Sequence, residues 1–138
     1  MSGRLKLVIV TPEKPVLDCA ADFAALPARG GELGVLPGHA SALVQLKEGI
    51  LHYTSQTGDG AFGIMGGFAE IHKDEVMVFA EAADLAGEID AEAERQAVQK
   101  ARQLLDSPEK DMDIAAVEAS LRRSLLRLKL IEHKRLRR

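Results

Sequence analysis

Apolar and polar residues alternate in short runs through the first 85 positions of the chain. Leu5, Leu7 and Ile9 alternate with their neighbours until Thr11-Pro12 stops the run, which predicts a strand with one richly apolar face. Further short runs follow, separated by turn-forming residues: Val16–Leu17, Phe23–Leu26, Leu43–Leu46, Gly49–Thr54, Phe62–Met65, Phe68–Ile71 and Val76–Phe79. Many short, closely spaced strands predict an antiparallel sandwich or barrel, and no helix of useful length fits before residue 88.

Glycine-rich segments mark the turns between these predicted strands. Gly66-Gly67 predicts a bulge or turn, and Lys73-Asp74 predicts another turn. Residues 58–63 match the letters GxGxxG, but a dinucleotide site needs a helix directly after the glycines. A strand follows here, so the segment predicts a hairpin turn instead.

After Leu85 the apolar period becomes helical. Asp90 is a good N-cap for a first helix, whose stripe is Ala93, Ala97, Ala101 and Leu104/Leu105, and Ser107-Pro108 ends that helix. Asp113 is the second N-cap, and the second stripe consists of Ile114, Val117, Leu121, Leu125 and Leu128. The two helices predict a hairpin. Because alanines bury little area, we expect a seam that is held weakly and separates when another surface offers better burial.

These patterns predict an α+β protein with a β-domain at residues 1–87 and a helix-turn-helix domain at residues 88–138. Net charge is unevenly distributed, at −5 for residues 1–85, −5 for residues 86–118 and +7 for residues 119–138. The basic end favours phosphates or an acidic protein surface as partners. Only 4% of residues are aromatic, which disfavours nucleic-acid binding.

Composition also narrows the chemistry. The apolar stretch near the amino terminus is too short, and alternates too much with polar residues, for a signal peptide. No apolar run is long enough to span a bilayer. We therefore expect a protein that is made in the cytosol without export. The single cysteine, Cys19, excludes an internal disulfide, and the four histidines lack metal-ligand spacing, so no metal is predicted.

Two groups of residues leave a functional and a structural interpretation open. His39, paired with Cys19 or Ser41, would serve a small hydrolase, but nothing marks an orienting group or an oxyanion hole. A turn residue or a partner contact is the alternative for His39. On the second helix, Arg123 and Arg127 are four residues apart and would hold a phosphate between them, or they lie with Arg122 on a solvated face.

Four segments resemble one family, the epsilon subunit of bacterial F-type ATP synthases. GELGVLPGH at residues 31–39 is the most specific segment, and Ala40 and LKEG at residues 46–49 follow it. LVIVTP at residues 7–12, the stretch 62–70 with its Gly-Gly-Phe, and LRRSLLRLKLIE at residues 121–132 are also similar to the family. The resemblance covers essentially the whole chain in order.

The resemblance implies a sandwich of about ten strands followed by a helical hairpin. It implies a non-catalytic rotor subunit of the central stalk of the proton-transporting enzyme, which lies beside the gamma subunit and on the c ring, at the cytoplasmic face of the bacterial plasma membrane. No cofactor is required. The subunit couples rotation to ATP synthesis, and its helices inhibit ATP hydrolysis by extending between the alpha, beta and gamma subunits.

The same resemblance assigns roles to individual residues. Glu32 and Gly34 map to the loop that faces the c ring, and His39 maps to the histidine near gamma. Arg122, Arg123 and Arg127 would meet an acidic surface of beta, by charge complementarity.

Some members of the family bind ATP between the folded helices, with [IL]DxxRA opening the first helix and two arginines on the second. Ile89 and Asp90 match the opening, and Arg123 and Arg127 match the second-helix arginines. Ala93 replaces the motif arginine, and the loss of one charge-assisted hydrogen bond costs about 1.5–3 kcal/mol. We therefore expect weak ATP binding at best.

Two other classes of function compete with this hypothesis. One is a stand-alone ligand-binding β-sandwich with a helical appendage, and the other is the small hydrolase that would use His39. Co-purification with gamma would distinguish a rotor subunit from a stand-alone module.

Overall fold

The computed structural model describes residues 4–136, with the backbone alone for Leu136. It contains eight strands, a short 3₁₀ turn over Ala86–Glu88 and two helices. The strands are β1 (Leu5–Val10), β2 (Pro15–Ala21), β3 (Phe23–Ala28), β4 (Gly31–Val35), β5 (Ala42–Thr54), β6 (Gly60–His72), β7 (Glu75–Ala80) and β8 (Ala83–Leu85). The helices are α1 (Ala91–Asp106) and α2 (Ile114–Leu136). The chain divides into two compact units, Met1–Asp84 and Leu85–Arg138.

The strands form one mixed sheet in the order β2-β1-β7-β6-β5-β3-β4, and β8 pairs with β6. Neighbouring strands on this path are antiparallel, except that β1 and β7 are parallel. Side chains from seven strands, β1 to β7, lie in a single buried cluster, so the sheet folds over on itself in two layers around one core. The predicted sandwich is confirmed, but an all-antiparallel arrangement is wrong at β1 and β7.

The two longest strands explain why the described residues contain eight strands rather than about ten. In β5, Leu46 and Leu51 are both buried although they are an odd number of residues apart. In β6, Ile64 and Ala69 show the same change of inward face. Since a regular strand keeps one face inward at every second residue, each strand must change face between these positions. Each continuous strand therefore resembles two short ones in the sequence.

Glycines permit the change of face in β6. Gly66 and Gly67 have positive φ angles of 81° and 104°, which side-chain-bearing residues rarely adopt. A Cβ atom on Gly67 would overlap the carbonyl oxygen of Phe79 on the neighbouring strand. The predicted bulge is thus a bend within one strand, which pairs with β5 on both sides of the bend and with β7 from Gly67 onward.

Both helices begin where the sequence predicts. Asp90 accepts a hydrogen bond from the Ala93 backbone at 3.2 Å, and Asp113 accepts one from the Ala116 backbone at 3.0 Å. The first helix ends at Asp106, two residues before Pro108.

The predicted stripes of the two helices are only partly correct. Ala101 is buried, but Ala93 and Ala97 are exposed, because the larger Val98 sets the buried face of α1. On α2, Ile114 is 46% exposed, and the buried residues are Ser124, Leu126 and Leu130. The predicted leucines at 121, 125 and 128 are half-buried. The helices pack through a mixed set of residues, not through alanines against the predicted leucines.

Candidate functional sites

The segment after β4 is a tight turn that is fixed to a neighbouring hairpin. The His39 backbone N–H donates to the Leu36 carbonyl at 3.1 Å, which closes the turn. Gly38, at φ 88°, donates its N–H to Asp74 Oδ1 at 2.6 Å. Asp74 lies in the turn between β6 and β7, so two loops that are distant in sequence form one surface.

His39 and Ser41 lie on this surface but do not bond to each other in the way a nucleophile and its base would. Nδ1 of His39 donates to the Ala40 carbonyl at 2.7 Å. The Ser41 hydroxyl instead lies 3.0 Å from Nδ1 of His72, in an exposed pair. Burial, with a smaller contribution from Asp18, raises the pKa of Cys19 above its ordinary value of 9.0, which makes its thiolate scarcer. The geometry does not favour the hydrolase interpretation.

Glu32 and Gly34 lie on β4, an edge strand at the end of the sheet order. The Glu32 side chain is 64% exposed, and its Oε2 lies 3.4 Å from Nε2 of His52 on β5. A Cβ on Gly34 would come within 3.1 Å of the Phe23 ring. The edge therefore presents one carboxylate beside a small residue that lets the strand lie close to Phe23.

One face of the sheet carries an exposed apolar surface that the sequence interpretation did not single out. Leu43 is 72% exposed and Phe68 is 46% exposed. The rings of Phe68 and Phe79 stack with centroids 4.9 Å apart. Val8, Val10 and Met77 lie on the same face by strand register. We call these six residues the outer apolar face. Exposed apolar residues grouped in this way are typical of a protein contact.

A depression of about 420 Å³ adjoins the outer apolar face. It is lined by Val10, Thr11, Pro12, Gly67, Phe68, Phe79, Ala80 and Glu81. The outer apolar face could have been found in the sequence, because β1 and β7 carry apolar residues on both faces, whereas a strand with one solvated face alternates between apolar and polar residues.

In the helical unit, Arg127 contacts the other helix. Its Nη1 donates to Oε2 of Glu94 on α1 at 3.2 Å. Arg122 is exposed and Arg123 is half-buried on the same helix, and both have interactions of their own. Arg127 therefore has a protein carboxylate as a partner. The sequence had left open whether this residue holds a phosphate together with Arg123 or lies on a solvated face.

The predicted opening of the ATP site has a structural role in α1. Ile89 is half-buried and directly precedes the cap, and its backbone donates to the Ala86 carbonyl at 3.2 Å. The Asp90 carboxylate accepts the capping bond from Ala93. Residues 89 and 90 are therefore accounted for by the start of the helix, whether or not a nucleotide binds.

Within residues 4–136, no group of three or more histidine, cysteine, aspartate or glutamate side chains is arranged to hold a metal ion. In that same part of the chain, neither helix has the length and apolar character needed to cross a membrane.

The sandwich defines the class of protein to which the chain belongs. Residues 4–86 match the family described as "ATP synthase, Delta/Epsilon chain, beta-sandwich domain", and the chain belongs to this family. A relative named "ATP synthase epsilon chain" from Syntrophobacter fumaroxidans is 39% identical over 132 residues, which are 96% of this chain and 98% of the relative. A relative of the same name from Bacillus velezensis is 35% identical, over 90% of this chain and 94% of its own length.

Solved structures show the same likeness. A chain of the Euglena gracilis mitochondrial ATP synthase, from a structure of OSCP, F1 and the c-ring, matches with a TM-score of 0.69 and 25% identity, over 96% of this chain and 79% of that chain. A chain of the Tetrahymena thermophila central stalk and c-ring matches with a TM-score of 0.54 at 17% identity, which shows the fold alone. Proteins of this kind are subunits of the ATP synthase complex and not its catalytic subunits. The resemblance drawn from the four sequence segments is confirmed.

Proposed function

We propose that this chain is a rotor subunit of a bacterial proton-transporting F-type ATP synthase, which couples rotation of gamma and the c ring to ATP synthesis. The observation that carries the proposal is the match to epsilon chains over nearly the full length of both partners. The likeness to a chain from an F1/c-ring assembly supports the same placement. The subunit would then be peripheral, at the cytoplasmic face of the plasma membrane.

The β-unit would provide the contacts with the rotor. Glu32 and Gly34, on the edge strand β4, are proposed to face the c ring, and His39 is proposed to lie near gamma. The outer apolar face supports a gamma contact, because it begins at Leu43, four residues after His39, and would otherwise leave large apolar side chains in water. An apolar patch with polar residues around it is the usual composition of a protein interface.

These contacts are tested by co-purification of the full chain with gamma. Phe68→Asp places a charge in the centre of the outer apolar face and should lower the recovery of gamma at least tenfold. Thr57→Asp, in the exposed turn between β5 and β6, is the matched control and should leave recovery unchanged. A chain that elutes alone whatever the substitution would instead favour a stand-alone module.

The helices would supply regulation. We propose that α1 and α2 separate and extend between alpha, beta and gamma, where Arg122, Arg123 and Arg127 meet acidic surface and ATP hydrolysis stops. Residues 119–138 carry a net charge of +7, which suits such a partner. The helical unit has a small buried core, so separation of the helices loses little apolar packing and costs little free energy.

Deletion of residues 88–138 tests the inhibitory role in the assembled enzyme. ATP hydrolysis should rise while ATP synthesis continues, because the β-unit keeps its own core and contacts. Unchanged hydrolysis would remove inhibition from the proposal and leave coupling as the role of the subunit. Arg122→Gln should reproduce part of the rise, and Lys100→Gln, an exposed cation on α1, is its control.

ATP binding by the hairpin is proposed to be weak. Of the proposed ligands, Asp90 caps α1 and Arg127 already pairs with Glu94. Ile89 and Arg123 retain the family's residues, but the arginine expected at position 93 is absent. Calorimetric titration of the full chain should give no micromolar dissociation constant, and a micromolar value would refute this part of the proposal.

A further inference from the structure

One ion pair in the helical unit differs from its neighbours. Glu94 and Arg127 are 33 residues apart and join α1 to α2, whereas Glu92–Arg95 and Glu132–Arg135 each join residues three apart on one helix. The side chains of Glu94 and Arg127 are only 14% and 27% exposed, and those of the other two pairs are more than half exposed. Of these three pairs, the first is the one that links the two helices, and it is largely shielded from water.

We propose that the Glu94–Arg127 pair is an interhelical clasp, which keeps the hairpin closed and excludes anions from Arg127. Its regulatory consequence rests on the proposed function, but the clasp itself is a property of the isolated chain.

The surroundings of the clasp make it strong relative to a surface pair. Val98 lies one turn after Glu94 on α1, and Leu130 lies one turn after Arg127 on α2, and both are buried. Apolar neighbours limit screening by water, so attraction between the two charges exceeds that of an exposed pair. Removing one member leaves the other charge shielded from water without this partner, which is the costly way to break such a pair.

The same pair determines what else Arg127 binds. A phosphate group that approaches Arg127 would compete with the Glu94 carboxylate for the guanidinium and would lie close to its negative charge. Competition for the guanidinium and repulsion between like charges both oppose anion binding. Glu94 is therefore a specificity residue as well as a clasp, because its charge closes the hairpin and rejects phosphate.

Hydrogen exchange on the full-length chain tests the clasp. Glu94→Gln should make amides of α1 and α2 exchange about tenfold faster, while the strands remain unchanged. Glu92→Gln is the matched control, since it removes the same charge from the same helix but breaks an exposed pair, the one with Arg95. It should change exchange less than twofold. Equal effects of the two substitutions would overturn the clasp.

A double-mutant cycle separates the pair from general damage to the helices. The double variant, Glu94→Gln with Arg127→Gln, should speed exchange by less than the two single effects combined, because each single substitution already breaks the pair between them. Exchanging the two charges, with Glu94→Arg and Arg127→Glu together, should restore part of the protection. Simple additivity in the first cycle would contradict the proposal.

Anion binding is measured with inorganic phosphate as the probe. Glu94→Gln should bind phosphate at least tenfold more tightly than the unaltered chain, and Glu92→Gln should not. Equal affinities would overturn the exclusion of anions. If Glu94→Gln speeds exchange in the isolated chain but leaves ATP hydrolysis by the assembled enzyme unchanged, the clasp stands and the proposed inhibition fails.

Discussion

The amount of apolar packing inside the β-unit is very different from the amount inside the helical unit. Sixteen buried apolar residues form one cluster in the β-unit, and many of them are completely inaccessible. Within residues 85–135 the buried apolar residues are Val98, Ala101, Leu126 and Leu130. Because buried apolar area supplies most of the favourable free energy of folding, the first unit is suited to remain folded while the second changes its packing.

The two proposed roles, transmission of rotation and regulation, require opposite properties. A surface that transmits rotation must keep its shape, which the sheet core provides. An element that changes partners must be held by few contacts, so that a competing surface offers comparable stabilisation. In the helical unit, an ion pair between Glu94 and Arg127 supplements the small core.

The largest expected effect is the loss of a core side chain from the β-unit. Leu51 is fully buried in β5, and Leu51→Ala should lower the free energy of unfolding by about 2–5 kcal/mol, because it removes apolar contacts and leaves a cavity. Urea denaturation followed by fluorescence of Tyr53 measures this change. Leu43→Ala, at an exposed position of the same strand, should change stability by less than about 0.5 kcal/mol. Similar losses at both positions would contradict the assigned core.

A backbone position in the same unit gives the next effect. Gly67→Ala should destabilise the sandwich by about 1–3 kcal/mol from its positive φ alone, with a further loss from the overlap with Phe79. Gly58 also has a positive φ, but it has open space around it, so Gly58→Ala reports strain without overlap. Urea midpoints compare the two variants. A smaller effect at Gly67 than at Gly58 would refute the bend as described.

A smaller change is expected when a helix cap is removed. Asp90→Ala should destabilise α1 by about 1 kcal/mol, because the Ala93 N–H loses its acceptor. Hydrogen exchange of α1 should report this loss, while β1 and β5–β7 should be unaffected. Glu109→Ala, in the exposed loop between the helices, is the control and should leave exchange in both units unchanged. An effect that spreads into the strands would show that the units unfold together.

The smallest effect is a pH dependence confined to the β-unit. Burial raises the pKa of Cys19 above 9.0 and that of Tyr53 above 10.0, with smaller contributions from nearby negative charge. The unfolded chain therefore loses these protons first, so this contribution is fully present below about pH 9 and is lost as the pH rises. Urea midpoints between pH 8 and 11 should fall less steeply in Cys19→Ala. An identical slope would remove Cys19 from this explanation.

Local features of this fold are predictable from the sequence, and long-range features are not. Asp90, Asp113 and Pro108 mark helix ends through bonds and steric effects within a few residues, so their roles could be predicted. The parallel pairing of β1 with β7 depends on how distant segments meet, and no nearby residue records it. The changes of face in β5 and β6 made each strand look like two.

The candidate sites follow the same division. The turn at His39 could be predicted from the sequence. Its attachment to the neighbouring hairpin could not, because the bond from the Gly38 N–H to the Asp74 carboxylate joins residues that are 36 positions apart. On α1, alanines at positions 93 and 97 suggested the wrong face, because small residues fix the rotation of a helix less firmly than Val98 does. The clasp could not be predicted either, because an acidic residue such as Glu94 is common in the first turn of any helix.

Independent opening of the hairpin can be measured by native-state hydrogen exchange of the full-length, unaltered chain, which compares amides of α1 and α2 with those of β1 and β5–β7. A hairpin that opens independently should exchange with a free energy of opening well below that of global unfolding, whereas the central strands should exchange only through global unfolding. Equal protection in helices and strands would show a single cooperative unit, and would contradict a stable head that carries a separable regulatory hairpin.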